Sequence, residues 1–124
     1  MREFKFRAWD TEKQEMATVN FIGLNDYEVG MEDEECRRWR ATYPYVCRLM
    51  QYTNLKDKNG KEIYEGDILK VKLDDGEANL YVKYTNGEYR VVNEGKWEDS
   101  LYSYMYFGDV EIVGNIYENK DLII

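Results

Sequence analysis

The stretch Asp67-Ile68-Leu69-Lys70-Val71-Lys72-Leu73-Asp74-Asp75-Gly76-Glu77-Ala78-Asn79-Leu80-Tyr81-Val82-Lys83-Tyr84-Thr85-Asn86-Gly87-Glu88-Tyr89-Arg90-Val91-Val92-Asn93 decides the fold. Apolar and polar residues alternate along it, the period-two pattern of half-buried strands. Asp75-Gly76 and Asn86-Gly87 are favoured centres of two-residue type I′ turns, because glycine, asparagine and aspartate tolerate the positive φ angles such turns need. Centring the chain on both turns sets Leu73 opposite Ala78, Val71 opposite Leu80 and Leu69 opposite Val82, then Tyr84 opposite Tyr89 and Val82 opposite Val91. The two registers, read separately, put Leu69, Val71, Leu73, Ala78, Leu80, Val82, Tyr84, Tyr89 and Val91 on one face of a three-stranded meander. Agreement between turn chemistry and hydrophobic pattern is what a foldable segment shows.

The opposite face carries Lys70, Lys72, Tyr81, Lys83 and Arg90, with Ile68, Asn79, Thr85, Glu88 and Val92. In this register Lys83 lies directly across from Arg90, a like-charge pair that costs roughly 0.2–1 kcal/mol unless an anion stands near it. Three readings are open: a solvated face, an ion-pair surface with partners such as Glu32–Glu35 or the acidic loops, or a seat for an anionic ligand or nucleic acid with Tyr81 as a stacking residue.

Working outward, Trp97, Leu101, Tyr104 and Met105 recur at helical spacing. The spacing predicts a short helix near 98–106, capped by Asp99 or Ser100 and stopped by Gly108, although Tyr102, Tyr104 and Tyr106 also alternate like a strand. Val110, Ile112, Gly114 and Ile116 alternate as a last strand. Residues 63–124 fit a five-stranded, strongly bent barrel. Upstream, Phe4–Trp9, Thr18–Ile22 and Val46–Thr53 read as strands, and Asp57-Lys58-Asn59-Gly60 as a turn. Residues 32–40 do not settle on one period: the pairs Asp33/Arg37 and Glu34/Arg38 at i, i+4 suit one or two helical turns.

The chain has 124 residues, enough for one domain or a compact pair of subdomains, and its 44% hydrophobic content excludes a wholly disordered chain. No apolar run approaches the length of a bilayer span, and Met1–Phe6 alternates charge and aromatic, so neither a membrane nor a signal peptide is expected. There is no histidine, which excludes histidine-based nucleophile systems and imidazole metal ligands; Cys36 and Cys47 are too few and wrongly spaced for a zinc site. Asp67, Asp74 and Asp75 are nominal carboxylates for a divalent metal, but Asp74 and Asp75 suit a turn better. No cofactor is expected. The net charge of −8 is uneven: residues 1–61 hold eleven basic and eleven acidic residues, residues 62–124 six and fourteen. An acidic chain is repelled by phosphate backbones, so nucleic acid requires a local basic face. Arg37, Arg38 and Arg40, interleaved with Trp39, Tyr43 and Tyr45, supply one candidate; Lys70, Lys72, Tyr81, Lys83 and Arg90 supply the other.

Three stretches carry a resemblance: Met1–Asp10 (MREFKFRAWD), Leu49–Ile68 (LMQYTNLKDKNGKEIYEGDI) and Val113–Asn119 (VGNIYEN). In order and position they resemble the YopX-like family of small phage and prophage proteins, from start to end of the chain. The family usually has glycine where Asn54 stands and proline where Lys120 stands. The resemblance implies a mainly β fold whose C-terminal part is an SH3-like barrel, origin in a phage or prophage, and residence in a bacterial cytoplasm; together with the elements read above, the expectation is an N-terminal β-rich region (1–55) packing on the barrel (56–124), with one short helix before the last strand. The resemblance carries over no activity and no catalytic residue. Gln51, Tyr52, Thr53 and Asn54, and likewise Asn115, are expected to satisfy backbone groups rather than a ligand. The functional expectation is a non-enzymatic accessory protein, a β-rich binding or assembly module that self-associates or binds a host or phage protein. Nucleic-acid association is the alternative.

Overall fold

The computed structural model of the protein describes residues 2–106 and 109–123. Its strands are β1 (Phe6–Asp10), β2 (Glu15–Ile22), β3 (Glu28–Glu32), β4 (Arg38–Thr42), β5 (Cys47–Lys56), β6 (Glu62–Tyr64), β7 (Asp67–Leu73), β8 (Gly76–Thr85), β9 (Glu88–Asn93), β10 (Trp97–Ser100) and β11 (Val110–Asn115). A short helix, α1 (Leu101–Met105), precedes the last strand, and a 3-10 turn spans Lys120–Ile123. With 57% of the described residues in strands and 8% in helix, all pairings antiparallel, the fold is mainly β as expected. Two compact units divide the chain, Met1–Gln51 and Tyr52–Ile124. Among the described residues no helix is long and apolar enough to cross a membrane.

In unit 2 the strands pair in the order β10-β9-β8-β7-β11. The meander reads as the sequence requires: Leu69, Val71, Leu80, Val82 and Val91 are buried together with Ile63, Leu101 and Val110. Around the second turn the register is the expected one, with Tyr84 opposite Tyr89, Val82 opposite Val91 and Lys83 opposite Arg90. Asn86 and Gly87 both have positive φ (54° and 81°), as a type I′ turn demands. The first turn corrects the sequence reading. Leu73 pairs with Gly76, Val71 with Ala78 and Leu69 with Leu80, two residues from the expected partners. Asp74 and Asp75 form the turn with ordinary φ angles, and Gly76 (φ 137°) takes the left-handed strain just after it. Because side chains alternate with period two, a slip of two leaves every residue on its predicted face.

The meander strands, the helix and the last strand stand where the barrel reading put them, and β10 occupies part of the segment read as helix, but no closed barrel is found among the described residues. The free edge of β11 is instead taken by the 57–60 turn: Lys58 N donates to Val110 O at 2.9 Å, and Ile112 N donates to Asp57 Oδ2 at 3.0 Å. The helix is shorter than expected, with Trp97 in β10 rather than in the helix; its ring stacks on Tyr104 at 6.1 Å. Leu101, Tyr104 and Met105 do turn to the core. Ser100 holds the N-cap position without a side-chain cap bond, and the expected stop, Gly108, lies outside the described residues.

In unit 1 the pairing order is β4-β3-β2-β1-β5, and β5 runs on as one strand into unit 2, where its second half pairs with β6. The helical reading of 32–40 is overturned. Val29 and Met31 of β3, and Trp39 and Ala41 of β4, alternate inward across a tight hairpin. Asp33 makes the reversal, its Oδ1 accepting the N–H groups of Glu35 and Arg37, while Cys36 takes a left-handed φ of 63°. A bulge in β2 between Val19 and Phe21 bends the sheet. The far edge strand reaches the first turn through Trp39, whose Nε1 donates to Asp10 Oδ2 at 2.7 Å, while Thr11 N, donating to Val46 O at 2.8 Å, extends the β1–β5 pairing. The enclosed core is small-grained, with Ala8, Ala17, Val29, Met31, Ala41 and Cys47.

Candidate functional site

The two candidate sets lie on different units. On unit 2, Lys70, Lys72, Lys83 and Arg90 share the face opposite the core, as the register requires. The like-charge pair Lys83/Arg90 has its anion, and the protein supplies it. Glu98 on β10 lies 3.1 Å from Lys83 Nζ and 3.0 Å from Arg90 Nε, and Arg90 also pairs with Glu88. Hydrogen bonding from Lys83 holds the Glu98 carboxyl below its ordinary range, with the Arg90 bond and both positive charges adding to this against a smaller desolvation effect. Lys72 Nζ lies 3.1 Å from Asp109. Lys70, opposite Asn79, has no ion pair among the described residues. Tyr81 is half-buried between Ile68 and Val92; burial pushes its hydroxyl pKa up, and its hydrogen bond to Glu94 pushes it further. Three of the four cations on this face, Lys72, Lys83 and Arg90, are thus paired within unit 2, with Asp109, Glu98 and Glu88 as partners.

On unit 1 the arginines are also engaged. Arg37 Nε is 2.7 Å from Asp33 Oδ2, the expected pair, but formed across a turn instead of along a helix. Arg38 pairs with Glu32 (2.6 Å), its neighbour across the hairpin, and not with Glu34. Arg40 Nη1 makes one long contact of 3.3 Å to Glu28. Trp39 turns to the opposite side, its indole on Asp10 and Lys13 Nζ 4.2 Å from its ring centre, so it is no stacking platform beside the arginines. The aromatic that does stand with them is Phe21, which composition and spacing did not single out. The bulge at Asn20 breaks the parity of β2 and turns Phe21 to the arginine side, where its ring lies on Gly30 so closely that any Cβ there would collide with it. Arg40 stands 5.3 Å from the ring centre. Asn20, Phe21, Gly30, Met31, Arg38, Trp39 and Arg40 line an open groove of about 330 Å³.

The remaining polar candidates are structural. Thr53 Oγ1 donates to Ile63 O and accepts from Leu55 N, and Asn54 adopts the left-handed φ (67°) that glycine would take. Asn115 Oδ1 accepts the N–H groups of Tyr117 and Glu118, closing the turn after β11. Asp67 accepts from Tyr64 N, and Asp74 and Asp75 make the β7–β8 turn. Among the described residues no three acidic or cysteine side chains are placed to hold a metal ion.

Two antiparallel sheets, with a turn clamped on the edge of the second and one short helix before the final strand, define a small two-unit β protein. The chain belongs to the YopX protein family, whose model matches residues 5–124. Among solved structures it is similar to protein EF1440 from Enterococcus faecalis, with 26% identity over the whole of both chains and a TM-score of 0.69. It is similar in fold to protein yopX from Bacillus subtilis, at 22% identity over 97% of this chain and 98% of that one, with a TM-score of 0.64. No curated protein matches the chain.

Proposed function

We propose that this is a non-enzymatic phage or prophage accessory protein, a β-rich binding or assembly module of the bacterial cytoplasm that self-associates. The observation that carries the reading is the group of exposed apolar and aromatic side chains on unit 1: Leu24 (88% exposed), Tyr27, Tyr43 and Tyr45 (80%). Tyr43 N donates to Tyr27 O at 2.7 Å, which sets the two loops side by side. Most of the candidate cations are committed to carboxylates of their own sheet, whereas these rings face solvent. Aromatic side chains with polar tips are enriched where proteins meet. The non-enzymatic part draws support from the nominated carboxylates, which serve turns and backbone donors. Size-exclusion with light scattering tests self-association: the mass rises with concentration, and Leu24→Ser with Tyr45→Ser lowers it. A strict monomer at high micromolar concentration overturns the reading.

A second reading, nucleic-acid association, is favoured by one feature, the unit 1 groove with Arg38 and Arg40 in its lining. Gel-shift at low salt tests it, since electrostatic binding is strongest there. A flat titration removes it.

A further inference from the structure

We infer that the unit 1 groove takes a nucleotide, with its phosphate between Arg38 and Arg40 and its base on Phe21; this rests on the second reading above and gives it a site. The lining carries two cations and no carboxylate, because Glu28 and Glu32 stand outside it. Each arginine spends one donor on its carboxylate, Arg38 through Nε and Arg40 through Nη1, so most of each five-donor guanidinium stays open to a phosphate. Positions i and i+2 on one strand stand on the same face about 6.6 Å apart, close enough for both to reach one anion. The Arg40–Glu28 contact is long and exposed, and such pairs contribute little, so Arg40 can exchange it.

Phe21 gives the base its surface. The ring sits against Gly30 yet remains 44% exposed, and bases stack on aromatic side chains whatever their sequence. Asn20 in the bulge offers one amide donor and one acceptor group to a base edge. With Arg38 and Arg40 as the two phosphate contacts, the affinity for a strand falls with salt at a log–log slope of about −1.4, the value for two phosphate contacts on a single strand.

The test uses the full chain, with a short fluorescein-labelled oligothymidylate followed by polarisation at low salt, and adenosine monophosphate followed by amide chemical shifts. Wild type binds; Phe21→Ala and Gly30→Ala each weaken binding about tenfold, Gly30→Ala by displacing the ring while leaving all other groups in place. Arg38→Gln, an exposed change that leaves the core intact, also weakens it, and Lys96→Gln, in the exposed turn before β10, changes nothing. Saturable shifts with the mononucleotide assign the site to free nucleotides; binding of the oligomer alone assigns it to single strands. Binding that survives both Phe21→Ala and Arg38→Gln overturns this site and leaves the nucleic-acid reading standing. No binding of either probe overturns both.

Discussion

Unit 1 and unit 2 hold their sheets by different means. Unit 2 is packed on branched aliphatic side chains, with Leu69, Val71, Leu80, Val82 and Val91 interdigitating beneath α1. Unit 1 encloses three alanines, one cysteine, Val29 and Met31, and fastens its far strand by a polar tie, the Trp39 indole on the buried Asp10 carboxylate. The same carboxylate accepts the N–H groups of Glu12 and Lys13 in the β1–β2 turn. Apolar packing is spread over many contacts, whereas a polar tie concentrates closure in one side chain. The outer faces, by contrast, follow one rule: nearly every candidate cation meets a carboxylate of its own sheet.

The comparison is broken or sharpened by substitution. Leu80→Ala empties a fully buried site and costs about 2–5 kcal/mol in urea unfolding. Asp10→Ala removes the buried acceptor of the Trp39 indole and of the Glu12 and Lys13 N–H groups and costs about 1–3 kcal/mol. Amide exchange tells the two apart: Asp10→Ala speeds exchange in β4 and residues 11–14, and Leu80→Ala speeds it in β7–β9. Unchanged exchange in β4 after Asp10→Ala would show that the polar tie does not hold the sheet.

A smaller effect appears with pH. Burial raises the Asp57 pKa, but N–H donors from Ile112, Lys61 and Asn59 outweigh it and hold the carboxyl below its ordinary range. With the folded value depressed, the stabilisation is complete above the unfolded value of about 3.9 and is lost as pH falls through the folded one. Asp57→Asn should therefore lower stability at neutral pH and flatten the acid limb of the stability curve; an unaltered acid limb would remove Asp57 from that balance. Smallest is Glu98→Gln, which leaves Lys83 facing Arg90 with less compensation. It should lower the melting temperature slightly at low salt and not at high salt, because exposed pairs are screened. A drop that persists in high salt would mean that Glu98 acts through packing.

Unit 2 was legible because period-two alternation and Asn86-Gly87 chemistry point the same way. The slip at Asp74-Asp75 escaped notice because turn preference cannot separate DD-G from D-DG, and parity conceals a shift of two. In unit 1, β3 and β4 also alternate (Val29, Met31; Trp39, Ala41), but Asp33/Arg37 at i, i+4 imitates helical pairing, and a turn can satisfy the same spacing. The groove was illegible for a related reason. A bulge adds one residue, so Phe21 changes side, and no local pattern announces the change. The cations do share one face as read, but the pairing with Glu98 depends on strand β10, which the helical spacing of Trp97, Leu101 and Tyr104 concealed.

The Asp57 clamp has a consequence for synthesis on the ribosome. Its third donor, Ile112, lies 55 positions farther along the chain. A nascent chain that has emerged only through the β7–β9 meander has the Asn59 and Lys61 donors in place and lacks the strand those groups are shaped to receive. The carboxylate thus waits, correctly oriented, and the arrival of one late backbone amide completes the edge of the second sheet.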